Sequence, residues 1–220
     1  MARTRLKVCC IASVDEARRA VAAGADALGL VSAMPSGPGP IEDECIREIA
    51  ATVPPPVATF LLTCRTRGDA IVEQLRFTRC NTVQLCDAVE DGAYDAIRAA
   101  LPAVKIVQVI HVEDEVSLDE AHRASRHVDA LLLDSGRPKA ETKELGGTGR
   151  VHDWTLSRRI VGTSPVPVFL AGGLRAENVR RAVTEVAPYG LDVCSGVRTA
   201  GHLDDEKLRA LVEAVNASAR

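Results

Sequence analysis

Apolar positions recur along the chain in two registers. Short, nearly continuous runs of leucine and β-branched residues occur at RLKVCCIA (5–12), ADALGLV (25–31), VATFLL (57–62), TVQLC (82–86), VKIVQVI (104–110), ALLLD (130–134), VPVFLAG (166–172) and LDVCSG (191–196). Such runs suit strands covered on both faces. Between and after them lie amphipathic stretches with helical spacing, over 13–24, 41–52, 67–78, 90–101, 117–127, 153–162, 175–186 and 204–219. Ser13 and Ser117 each precede such a stretch with a carboxylate three residues on, the arrangement of a helix N-cap. Eight strands each followed by a helix predict a parallel sheet that closes, a (β/α)8 TIM barrel, as a single domain over 1–220. An open doubly wound sheet is the alternative. It would normally carry G-x-G-x-x-G after the first strand, where this chain reads Cys-Cys-Ile-Ala-Ser.

Size and composition fit that architecture. The 220 residues are 46% hydrophobic and 26% charged, enough to build a sizeable core. A formal net charge of −3 and an aromatic content of 3%, with no basic run interleaved with aromatics, argue against a nucleic-acid partner. No secretory leader pattern and no long apolar span is present, so a cytoplasmic protein with no membrane association is expected. The seven cysteines are scattered without C-x-x-C pairs or matching histidines. They read as reduced thiols, mostly small buried hydrophobes, and not as a disulfide framework or a metal site.

In a β/α barrel the functional groups cluster where the strands end. The sequence places three glycine clusters there: LGGTG (145–149, with Gly146 and Gly147), AGG (171–173, with Gly172 and Gly173) and Ser195-Gly196. Glycines let backbone N–H groups converge on an anion, so these loops are candidates for binding the phosphate of a phosphorylated small molecule. Cys9 closes the first strand and Asp134 the sixth. Across a barrel mouth they could act as general base and general acid, with Lys7 helping Cys9 to ionise. A core thiol and a loop-capping carboxylate is the other reading of the same two residues.

Taken together, these motifs resemble phosphoribosylanthranilate isomerase of tryptophan biosynthesis along essentially the whole chain. The resemblance rests on Lys7-Val8-Cys9-Cys10 for K-[IV]-C-G, Gly24 to Leu30 for G-A-D-A-[LI]-G-[FL], Val83 to Asp87 for V-Q-L-H-G, and Leu132 to Ser135 for L-L-D-S. It continues through Gly146 to Trp154 for G-G-T-G-x-x-x-D-W, Leu170 to Val179 for L-A-G-G-L-x-x-E-N-V, and Asp192 to Arg198 for D-V-S-S-G-V-E. It implies an aldose-to-ketose Amadori rearrangement of N-(5'-phosphoribosyl)anthranilate or a close analogue. Cys9 would be the base and Asp134 the acid, and no metal or organic cofactor is implied.

The departures gather on the aglycone side. Gly39 stands where the family's S-P-R arginine engages the anthranilate carboxylate, Leu62 replaces a usually polar residue, and Cys10, Cys86, Asp87 and Arg198 differ from the pattern. Lys7, Gly39, Cys86, Arg65 and Arg198 are therefore the candidate substrate-binding positions, with Arg65, Arg67 and Arg198 able to replace the missing cation. The clustering leans toward an altered aglycone. Two other classes stay open: a lyase or synthase acting on another phosphosugar, and a non-catalytic phosphometabolite-binding barrel. The sequence does not reveal oligomeric state.

Overall fold

The computed structural model describes residues 3–136 and 153–218. Eight parallel strands, β1 (Arg5–Val8), β2 (Ala27–Val31), β3 (Ala58–Thr63), β4 (Thr82–Leu85), β5 (Lys105–His111), β6 (Ala130–Asp134), β7 (Val168–Leu170) and β8 (Gly190–Val193), close into a barrel when β8 pairs with β1. Helices α1 (Val14–Ala22), α2 (Asp43–Thr52), α3 (Gly68–Thr78), α4 (Ala93–Ala100), α5 (Val116–Ala124), α6 (Trp154–Thr163), α7 (Ala176–Val186) and α8 (Asp205–Ser218) follow the strands in turn. Among the described residues, no helix is long and apolar enough to cross a membrane.

The strand pleat divides the apolar residues into two cores. One set, including Ala27, Val31, Phe60, Leu62, Val107, Val109, Leu132 and Phe169, fills the barrel interior. The other, including Leu6, Val8, Leu28, Leu30, Leu131 and Leu133, packs outward against the helices. Both faces of each strand are covered, which explains the nearly continuous apolar runs in the sequence. The same alternation turns Lys7 and Cys9 of the first strand inward, two residues apart.

Several strands stop sooner than their apolar runs. β1 ends at Val8 because Cys10 adopts a left-handed conformation, φ 62°, which breaks the ladder. β7 ends at Leu170, just before Gly172 and Gly173 at φ 88° and 62°. Beyond β8 the chain makes one 3₁₀ turn (Ser195–Val197) and a short hairpin, β9 (Arg198–Thr199) with β10 (His202–Leu203). The positive φ values of Ala200 and Gly201 make its tight turn, and no apolar alternation announces so short an element. Ser13 caps α1 as expected, its Oγ accepting the Glu16 N–H at 3.1 Å. Ser117 does not cap α5: it lies inside the first turn, where its Oγ accepts the Glu113 N–H and donates to the His111 carbonyl.

Candidate active site

The C-terminal strand ends surround a cleft of about 700 Å³, counting its open mouth. Cys9, Cys10, Leu62, Gln84, Cys86, Asp134, Gly172, Gly173, Asp192, Cys194 and Ser195 line it, together with Met34 and the 36–38 segment. Two side chains capable of acid–base work, Cys9 and Asp134, thus open into one space from strands on different sides of the barrel.

Below Cys9 lies a fully buried ammonium. Lys7 Nζ sits 2.8 Å from Asp192 Oδ2, its register partner across the β1–β8 seam, and 5.3 Å from the centre of the Phe60 ring. Burial works to lower the Lys7 pKa, but the Asp192 carboxylate and the Cys9 sulfur outweigh it and hold the group above its ordinary value. The ammonium and the thiol crowd one point. A Cβ placed on Gly29 of β2 would lie 2.7 Å from Cys9 Sγ and 3.0 Å from Lys7 Nζ. Asp192 was visible in the sequence only as part of a motif; its role as the lysine's counter-ion depends on barrel closure.

Asp134 is buried at the end of β6, beside His111 in register. Burial pushes its pKa up, against the 2.7 Å hydrogen bond from the Ser135 N–H and the charges of His111 and Lys7. The environment therefore favours a carboxyl that keeps its proton. His111 Nε2 donates to the Cys86 carbonyl at 3.0 Å, while its Nδ1 is buried without a hydrogen-bond partner. Burial likewise pushes the Cys86 thiol up, consistent with a neutral wall of the cleft.

The glycine loops meet on the opposite side. Gly196 sits so close to the loop after β7 that a Cβ there would fall 1.9 Å from the Leu174 carbonyl oxygen, so only glycine lets the two loops touch. Gly173 and Ser195 line both the main cleft and an adjoining one that also contains Gly196, Arg175 and Lys207. Gly146 and Gly147 lie outside the described residues.

The three arginines considered as replacement cations are engaged elsewhere. Arg65 is exposed, donates to the Ala70 carbonyl and lies 4.0 Å from Asp43. Arg198 is clamped by Glu16, 3.1 Å from its Oε2, and donates to the carbonyls of Gly201 and Cys10. Arg67 pairs with Asp69 on the surface. None of the three candidates for a replacement cation lines the cleft. Sequence spacing could not reveal this, because Glu16 and Arg198 are 182 residues apart.

Gly39, in the arginine's place, is held at φ +87° against Cys10. A Cβ there would lie 2.6 Å from Cys10 Cβ and 3.0 Å from its Sγ. The two departures from the family pattern are thus physically coupled, since Cys10 fills space that a side chain at 39 would need.

Comparison with known proteins agrees with this geometry. The profile of the N-(5'-phosphoribosyl)anthranilate (PRA) isomerase family matches residues 6–214. An N-(5'-phosphoribosyl)anthranilate isomerase of Methanocella arvoryzae is 32% identical over 96% of this chain and 98% of its own length. The Haloferax volcanii enzyme of that name is 37% identical over 96% of this chain and 92% of its own. A solved phosphoribosyl anthranilate isomerase in complex with reduced 1-(o-carboxyphenylamino)-1-deoxyribulose 5-phosphate superposes with a TM-score of 0.77 at 25% identity, covering 97% of this chain and 99% of that one. With a closed eightfold barrel, a thiol and a carboxyl in one cleft and relatives matched nearly end to end, this chain belongs to the N-(5'-phosphoribosyl)anthranilate isomerase family.

Proposed function

We propose that the protein isomerises N-(5'-phosphoribosyl)anthranilate to 1-(o-carboxyphenylamino)-1-deoxyribulose 5-phosphate. The observation that carries this reading is the convergence of Cys9 and Asp134 on one cleft, with the Lys7–Asp192 pair buried beneath the thiol. Asp134, its pKa raised by burial, donates its proton to the furanose ring oxygen as the C1'–O bond breaks and the anthranilate nitrogen lone pair forms an iminium. Cys9 as thiolate then takes the C2' proton, and the electron pair moves into the enolamine. Tautomerisation gives the ketone. The iminium is itself the electron sink, and the Lys7 ammonium complements negative charge on the sulfur. Backbone amides of Gly172, Gly173, Ser195 and Gly196 form the phosphate end of the site, joined by Gly146 and Gly147 on the evidence of the sequence alone.

A second reading, an altered aglycone, is favoured by one observation. Among the described residues lining the cleft, none is lysine or arginine, so no guanidinium stands ready for the anthranilate carboxylate. Expression in a tryptophan auxotroph lacking the isomerase separates the two. Growth supports the anthranilate substrate, and failure to grow with well-folded protein supports the altered one.

A further inference from the structure

Besides Cys86, the cleft contains two thiols with no part in the proposed proton transfers. Cys10 follows β1 and Cys194 follows β8, strands that meet only because the barrel closes. Their sulfurs are 2.9 Å apart although the residues are separated by 184 positions. Cys10 is fixed on several sides. Its backbone is left-handed, its Sγ donates to the Pro38 carbonyl at 3.5 Å, Gly39 packs on its Cβ, and Arg198 holds its carbonyl. The sulfur is thereby held toward Cys194, which is half-buried and lines the cleft.

The two thiols also differ in character. The contact with Cys10 and the charge of Arg198 hold the Cys194 thiol below its ordinary range against the effect of burial. Cys10 is pushed up by its contacts with Cys194 and Cys9 and by burial. One is suited to attack as thiolate, the other to resolve as thiol.

We propose that Cys10 and Cys194 form a reversible disulfide on exposure to hydrogen peroxide, bolting the first strand to the last and arresting turnover. The Cys194 thiolate attacks a peroxide oxygen; the O–O bond breaks, and the departing hydroxide takes up a proton as water, leaving a sulfenic acid. The Cys10 sulfur then displaces the sulfenic hydroxyl, its own proton leaving with that hydroxyl as a second water. Two thiols lose two electrons and one peroxide gains them. A disulfide is about 2.05 Å long, so the sulfurs must close by roughly 0.9 Å. That movement acts on the neighbours of both residues: Cys9, whose N–H donates to the Val193 carbonyl at 2.7 Å, and Ser195 of the glycine loops. Misplacing reacting groups by about 1 Å can slow a reaction by about 10²-fold.

The turnover consequence rests on the proposed isomerase function; the bond itself does not. The test treats the purified full-length protein with stoichiometric hydrogen peroxide, blocks free thiols by alkylation, and maps linked peptides without reduction by mass spectrometry. A peptide containing Cys10 joined to one containing Cys194 is expected, abolished in Cys10→Ala and Cys194→Ser, retained in Cys9→Ala, and cleaved by dithiothreitol. Linkage that persists in Cys10→Ala but vanishes in Cys9→Ala, or no linkage at all, overturns the bond, whether or not the protein turns over any substrate. In the turnover arm, the oxidised wild type should lose about 10²-fold in rate and recover on reduction. Measured against its own untreated rate, Cys194→Ser should resist peroxide. A fully linked protein with undiminished turnover, or a Cys194→Ser variant inactivated as fast as wild type, overturns the arrest.

Discussion

Two buried ion pairs join the start of the chain to its end, one on each side of the barrel wall. Lys7–Asp192 lies inside, between register partners of β1 and β8. Glu16–Arg198 lies outside, where α1 meets the β9–β10 hairpin. The outer carboxylate is saturated: Glu16 Oε2 accepts from the Ala12 N–H at 3.0 Å and Oε1 from the Leu203 N–H at 2.9 Å, in addition to the guanidinium, whose own Nε is buried without a partner away from the cleft. The inner carboxylate is not, since Asp192 Oδ1 is buried without a partner at the edge of the cleft. A buried, paired carboxylate whose hydrogen-bonding capacity is filled is a structural joint. One left with spare capacity beside a cavity marks a site, because such groups are rare unless something uses them.

The inner pair should separate stability from turnover when both of its members are replaced. Apolar residues of similar volume often substitute for a buried ion pair without loss of stability. Lys7→Met combined with Asp192→Leu should therefore melt near the wild-type temperature while kcat falls by about 10² to 10³-fold, the usual effect of removing one electrostatic stabiliser. Thermal melts and steady-state rates on the same preparation decide it. A stable double variant with normal turnover would make the inner pair structural too.

The outer pair should behave in the opposite way. Arg198→Met strands the Glu16 carboxylate, at a cost of about 3–5 kcal/mol, which for a chain of this size lowers Tm by roughly 6–20 °C. At assay temperatures well below the transition, kcat and KM should hold. A raised KM with unchanged Tm would return Arg198 to the substrate-binding role that its sequence position suggested.

Acid sharpens the same contrast. Burial works to raise the Glu16 pKa, but Arg198 and the backbone amides of Leu203 and Ala12 outweigh it and hold the carboxyl below its ordinary value of 4.5. A depressed carboxylate contributes stability that is complete above the unfolded value and is lost as pH falls through the folded one. Melts between neutral pH and pH 3 should show wild type losing stability below about 4.5. Arg198→Met should lose less over that interval, and equal slopes would mean the pair contributes nothing to acid sensitivity.

The smallest effect concerns the coupled positions 10 and 39. Gly39→Arg alone forces a side chain at positive φ into Cys10 and should cost about 1–3 kcal/mol. Cys10→Gly with Gly39→Arg opens that space, and should recover the stability and raise kcat/KM on phosphoribosylanthranilate. A stable, more active single variant would show that Cys10 does not exclude the arginine.

The barrel was legible in the sequence because its signal is local. Each apolar run and each amphipathic stretch reports its own element, and eight of each leave few architectures. Cys9, Asp134 and the described glycines were legible for a related reason, since strand ends in a barrel all face one way. What the sequence concealed depends on closure. Asp192 finds Lys7, Arg198 finds Glu16, and Cys194 finds Cys10 only when the first and last strands pair. The contact of Gly39 with Cys10 depends on the path of an irregular loop, which apolar periodicity does not encode.

In the proposed reaction Cys9 and Asp134 move the two protons of the rearrangement. The most direct test is single-turnover and steady-state assay of phosphoribosylanthranilate conversion by wild type, Cys9→Ala, Cys10→Ala and Asp134→Asn. The C2' ketone is detected by NMR. Cys9→Ala and Asp134→Asn should each lose about 10² to 10⁴-fold in kcat with KM nearly unchanged, while Cys10→Ala stays close to wild type. Near-normal turnover in Cys9→Ala, with the loss in Cys10→Ala instead, would place the base at Cys10.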